Sequence, residues 1–198
     1  VLDTLQIKWE PMVRTGRDKA RFLQLKRTAM RMAGVVHAQI VKGRFRPWGQ
    51  ELAFGPDAPF PPLVVETGGG RLLLEGRIDR VDVCDEQGER YLRVVDYKTG
   101  RTDLKMEEIY HGIRLQLLLY LDAALQAVGG KPAGIFYLKV DDPLVETPER
   151  VEQVVSPLLA QRMRLSGLVL EDVRVLQAID AHAPENGESD VVNLKKVR

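Results

Sequence analysis

The chain has 198 residues, 44% hydrophobic and 29% charged, enough for one well-buried globular domain. Its single cysteine, Cys84, excludes a disulfide framework and a cysteine-built metal cage, and no apolar run approaches the roughly 18 residues needed to span a bilayer. The net charge of +1 hides an uneven distribution, because Arg14 to Arg46 hold ten basic residues and one acid, Asp18.

The opening Val1-Leu2-Asp3-Thr4 has no signal-peptide layout, so a soluble, unsecreted protein with no membrane association is expected, and the lone cysteine fits a reducing cytoplasm. From Gly16 to about Val41, Phe22, Leu25, Ala29, Met32, Val36 and Ile40 recur at spacings of three and four, the stripe of an amphipathic helix. Its other faces carry Arg17, Lys19, Arg21, Lys26, Arg27 and Arg31, either a solvated surface or a track for a phosphate backbone. Gly43 and Pro47 end this helix. Short strand-like pieces follow at Gln50 to Phe54 and Leu63 to Glu66. Gly68-Gly69-Gly70 reads as a tight turn, and Leu72-Leu73-Leu74 leads into the next strand.

Gly76 to Cys84 and Arg90 to Lys98, rich in β-branched and aromatic residues, flank the turn Asp85-Glu86-Gln87-Gly88-Glu89 and predict a hairpin. Cys84 falls inside it and reads as a small core residue. A second helix is expected over about Leu104 to Val128, interrupted near Gly112 and stopped by Gly129-Gly130. Gly134 to Val140 reads as a buried strand, Pro148 to Leu165 as a helix, and Glu171 to Asp180 as a short helix. Ala181 to Asp190 has loop composition, and Val191 to Leu194 is strand-like. The order α-β-β-β-α-β indicates an α/β fold, a small mixed β-sheet flanked by helices. One domain over residues 1–198 is expected, with a core at about 16–141 and a helical and tail extension at about 142–198. Gly129-Gly130-Lys131 continues with Pro132, so no Walker-type nucleotide loop is present.

If the hairpin turns between Gln87 and Gly88, opposed residues pair as Val83 with Leu92, Val81 with Val94, and Asp79 with Asp96. Side chains alternate along a strand, so Lys98 shares their face. Opposed Cβ atoms lie about 5 Å apart, and two carboxylates that close raise each other's pKa unless a cation intervenes. A hard divalent ion such as magnesium, which accepts one or two carboxylates plus waters and phosphate oxygens, suits this sparse set. A salt-bridged cluster at a strand end is the alternative. Gln116 and Tyr120, four residues apart, share one face of the next helix among Ile113, Leu117 and Leu121.

Gly76-Arg77-Ile78-Asp79-Arg80-Val81-Asp82, Val95-Asp96-Tyr97-Lys98-Thr99-Gly100 and Leu115-Gln116-Leu117-Leu118-Leu119-Tyr120-Leu121 together resemble the core of the PD-(D/E)XK nucleases in their RecB-like form. Phe45-Arg46-Pro47, Glu51-Leu52-Ala53-Phe54-Gly55, Gly167-Leu168-Val169-Leu170-Glu171-Asp172 and Asn193-Leu194-Lys195-Lys196 are similar to the C-terminal nuclease domain of the AddB family of helicase–nuclease subunits.

The resemblance implies a restriction-endonuclease-like core. It implies Mg2+ or Mn2+ on Asp79, Asp96 and the main-chain carbonyl of Tyr97, with Lys98 positioning and helping to deprotonate the attacking water. It also implies that Gln116 and Tyr120 orient the lysine or contact the DNA strand. Arg80 and Asp82, on the opposite strand face, are expected to form a structural ion pair. Ile78 stands where the family name has proline. His37 lacks the G-x-x-x-H setting of the family's upstream ligand and reads as helix surface or core. An iron–sulfur cluster is implied for the parent subunit, but its cysteines are not in this chain, which points to a fragment.

The expected function is therefore a Mg/Mn-dependent DNA exonuclease domain acting on a single strand delivered by a helicase subunit of the AddA type, in bacterial double-strand break repair and recombination. The alternatives are a non-catalytic DNA-binding or assembly module of the same fold, and a stand-alone exonuclease of the superfamily.

Overall fold

The computed structural model describes residues 14–100, 106–112, 114–140, 161–183 and 189–193. Helix α1 spans Gly16–Lys42 and starts on a capping box: the Thr15 hydroxyl accepts the Asp18 N–H while the Asp18 carboxylate accepts the Thr15 N–H. It ends where Gly43 donates to the Gln39 carbonyl and Arg46 reaches back to the carbonyls of Ile40 and Gly43. Only its second half follows the predicted stripe. Met32, Val35 and Val36 pack on the sheet, whereas Leu25 is 62% exposed because no described element covers the first turns.

Strand β1 covers Arg46–Phe54, starting four residues earlier than expected. Pro47 is tolerated there because β1 is an edge strand, bulged between Pro47 and Gly49. Strands β2 (Leu63–Thr67) and β3 (Gly70–Leu74) form a separate antiparallel ribbon closed by the glycine turn. The leucine run is thus a strand of its own, not a lead into the hairpin.

The hairpin is β4 (Gly76–Glu86) and β5 (Glu89–Lys98), in the predicted register: Val83 pairs with Leu92 and Val81 with Val94. Gln87 and Gly88 both have positive φ, 51° and 82°, as the two-residue turn that matches strand twist requires.

The second helix is broken as expected, into α2 (Met106–Tyr110) and α3 (Gln116–Val128), with Gly112 at φ 73°. Leu104 lies outside the described residues. Gly129, at φ 75°, closes α3 and leads into β6 (Lys131–Lys139). Most of the helix expected over Pro148 to Leu165 lies outside the described residues; Gln161 and Arg162 are helical, but Leu165 opens strand β7 (Leu165–Val169), which corrects the expected end of that helix. α4 (Val173–Ile179) is capped by Asp172, and β8 is Val192–Asn193. The extension after residue 142 therefore adds strands to the sheet as well as a helix.

The main sheet runs β1-β4-β5-β6-β7-β8, mixed because β5–β6 and β7–β8 are parallel and the other pairs antiparallel. Alternation on β5 divides the core. Tyr91 and Val95 face a cluster with α1, α4 and Phe45, while Leu92 and Val94 face a second cluster with α3 and the β2–β3 ribbon. Cys84 is buried in the first. Among the described residues, no helix is long and apolar enough to cross a membrane.

Candidate active site

The sheet forks where the acids sit. β4 stays paired with β1 as far as Gly76, but its ladder with β5 ends at Arg80–Val95, one residue before the expected Asp79–Asp96 pair. Beyond that point a side chain does the work of the ladder: Asp79 Oδ2 accepts the Tyr97 N–H at 2.7 Å. Asp79, Asp96 and Lys98 continue the face of Val81 and Val94, the side on which α3 packs.

Asp96 is buried, and Lys98 Nζ lies 2.9 Å from its Oδ2. At this distance the ammonium is the ionic partner of Oδ2, an otherwise enclosed acceptor. Burial pushes the Asp96 carboxyl above its ordinary range, Lys98 pulls it back, and the charge of Asp79 pushes it up again. Burial works against the Lys98 ammonium, but its contact with Asp96 outweighs this and raises its pKa.

Lys98 Nζ also donates to Gln116 Oε1 at 3.1 Å, and Gln116 Nε2 donates to the Tyr120 hydroxyl at 2.9 Å. One α3 face thus delivers both predicted side chains to the lysine. Tyr120 rests edge-on against Phe54 at the end of β1, ring centroids 6.0 Å apart.

Sequence reasoning missed two neighbours. Tyr137 on β6 pairs with Asp96, and Lys98 Nζ sits 5.8 Å above its ring. The ion pair of Arg114 and Glu108, 2.5 Å apart, lies close enough for both charges to act on the Tyr137 hydroxyl. Tyr137 could not be found from spacing, because a parallel strand pair leaves no local signature.

On the opposite face, Asp82 binds Arg80 through both carboxylate oxygens, at 2.8 Å each, as predicted for that pair. Arg93, which was not foreseen, joins through Nε at 2.8 Å, and all three side chains are 0% exposed.

The basic helix does not belong to the site. α1 packs on the face away from Asp96 and Lys98. His37 is exposed on that helix and adds no ligand. Among the described residues no group of three or more His, Cys, Asp or Glu gathers.

Two carboxylates and a main-chain carbonyl are hard oxygen donors, and the buried Asp96 oxygen already draws one cation, the Lys98 ammonium, so the donor set fits a divalent ion. An iron–sulfur cluster does not fit, since it needs several thiolates and Cys84 is the sole cysteine.

The model of the PD-(D/E)XK nuclease superfamily matches residues 8–189. The chain belongs to this nuclease superfamily. Divalent metal ions are general among PD-(D/E)XK nucleases, in keeping with the donor set.

Curated relatives named as ATP-dependent helicase/deoxyribonuclease subunits include that of Alkaliphilus oremlandii, 39% identical over 85% of this chain and 15% of the relative. Those of Clostridium kluyveri and Pelotomaculum thermopropionicum are each 36% identical, over 87% and 97% of this chain and 16% and 17% of the relative. The chain thus spans about 15% of the length of the relatives it matches.

Proposed function

We propose that this PD-(D/E)XK chain is a metal-dependent deoxyribonuclease domain. It would hydrolyse phosphodiester bonds in single-stranded DNA delivered by a helicase, as the nuclease of a helicase–nuclease subunit in double-strand break repair and recombination. The supporting observation is the contact chain Asp96–Lys98–Gln116–Tyr120 at the sheet fork beside Asp79. A nonspecific salt-bridged cluster has no need of the glutamine and tyrosine that fix its lysine.

Asp79, Asp96 and the Tyr97 carbonyl would hold Mg2+ or Mn2+. The ion would polarise the scissile phosphate and stabilise the leaving oxygen. Lys98, held protonated, has three donors and no acceptor, so it orients the attacking water and offsets charge growing on the phosphate. Gln116 keeps the ammonium in place, and Tyr120 fixes the amide. The strand would cross the mouth of the fork on the α3 side.

Exonuclease action, a partner of the AddA helicase type, one nuclease unit over residues 1–198 and a bacterial cytoplasmic setting belong to the same proposal. The helicase partner is supported by the relatives' shared designation as helicase/deoxyribonuclease subunits. The test is cleavage of an end-labelled single strand by the complete subunit. Chelator-sensitive cleavage that is lost in Asp96→Ala and Lys98→Ala supports the proposal, and wild-type cleavage by Lys98→Ala refutes the role given to the lysine.

A further inference from the structure

We infer that the buried Arg80–Asp82–Arg93 cluster is a positioning device that acts through Tyr97 on the ion site across the sheet. This rests on the reading of Asp79, Asp96 and Tyr97 as metal ligands. Past the last ladder pair, Arg80–Val95, two side-chain bonds pin the diverging strands, one on each face. On the site face, Asp79 Oδ2 accepts the Tyr97 N–H at 2.7 Å. On the other face, the Tyr97 hydroxyl accepts from Arg80 Nη1 at 3.2 Å. Tyr97 is thereby fixed at its main chain and at its ring tip, and its carbonyl has little freedom left.

The clamp has a rigid base. Arg80 is locked by two bonds to Asp82, Asp82 is held by Arg93, and Arg93 lies 4.8 Å over the ring of Phe45. The cluster is also costly. Two guanidiniums share one carboxylate with no exposure, and Nη1 and Nη2 of Arg93 have no hydrogen-bond partner among the described residues. Buried charge clusters of this kind are often no more stable than a well-packed apolar replacement, so packing alone does not account for it. Setting the fork at which two acids and a carbonyl converge does. Residues behind a metal's direct ligands commonly fix ligand orientation in this way.

The test is Tyr97→Phe in the 198-residue chain, which keeps the ring and removes only the hydroxyl that Arg80 reaches. Mn2+ binding is followed by loss of the free-ion EPR signal, beside Asp96→Ala, and urea unfolding is followed on the same samples. The expected result is an approximately tenfold weaker Mn2+ affinity in Tyr97→Phe, with faster hydrogen exchange at the residue 97 amide. Affinity equal to wild type in Tyr97→Phe overturns the inference while leaving the ion site standing, whatever the unfolding midpoint. Binding by wild type no tighter than by Asp96→Ala overturns the ion site itself, and the inference with it.

Discussion

The carboxylate of Asp79 and the main-chain N–H of Tyr97 meet at 2.7 Å across a gap that the β4–β5 ladder no longer closes. A side chain that replaces a ladder bond holds its strand at the end of the sheet while leaving it separated from its neighbour. Asp79 and Asp96 therefore share the mouth of a fork, and Lys98 spans from Asp96 to α3.

Metal capture and lysine chemistry should separate. Asp96→Ala removes a ligand and is expected to abolish both Mn2+ binding and cleavage. Lys98→Ala should bind Mn2+ at least as well as wild type, since a competing cation is gone, yet lose about 100-fold or more in cleavage rate. Mn2+ titration beside single-turnover cleavage checks this, and parallel loss of both in Lys98→Ala would count against the division.

Asp82→Asn leaves two buried guanidiniums short of their counter-charge and should cost about 3–5 kcal/mol by urea unfolding. Burial would raise the Asp82 pKa, but the charges of Arg93 and Arg80 outweigh it and hold it below the ordinary value. Because the folded pKa is depressed, the stabilisation is present above the unfolded carboxylate pKa, about 3.9, and is lost as pH falls through the folded value. The wild type should therefore lose stability on acidification over that window more steeply than Asp82→Asn. Equal acid limbs in the two proteins would contradict the assignment.

Charge on α1 should matter little to catalysis. Replacing Arg17, Lys19 and Arg21 together by glutamine is expected to leave cleavage and the salt dependence of single-strand binding within about twofold of wild type. If those residues track the backbone, the slope of log affinity against log salt should instead flatten by about 2 units, at about 0.7 per phosphate contact. Fluorescence anisotropy over a salt series distinguishes the two.

Gly167→Ala should break the β6–β7 pairing. A Cβ at Gly167 would stand 1.9 Å from the Ile135 carbonyl oxygen, a main-chain atom that cannot step aside. The expected cost is at least about 3 kcal/mol, the upper end for overpacking, seen as a lowered urea midpoint.

The hairpin was legible because its alternation, β-branched content and turn all indicate one register, and that register puts Asp79, Asp96 and Lys98 on a common face. Helical spacing put Gln116 and Tyr120 on one face, while their place beside Lys98 came from the resemblance to the nuclease core. The fork was not, since it depends on β4 remaining with β1 while leaving β5, a competition between two partners that no single strand encodes. The same register sets Arg93 opposite Asp82, but alternation cannot tell that both faces of β5 are covered, so a buried arginine was not expected there. Strands β3 and β7 were missed for a related reason: each is short, glycine-containing and defined by the partner it meets.

Asp79 and Asp96 are expected to converge on one divalent ion at the sheet fork. Crystals soaked in manganese and measured near its absorption edge test it most directly. An anomalous peak is expected between the two carboxylates, about 2.1 Å from an oxygen of each, as for a small octahedral divalent ion. A well-ordered fork with no peak there, or a peak bound by other residues, would contradict it.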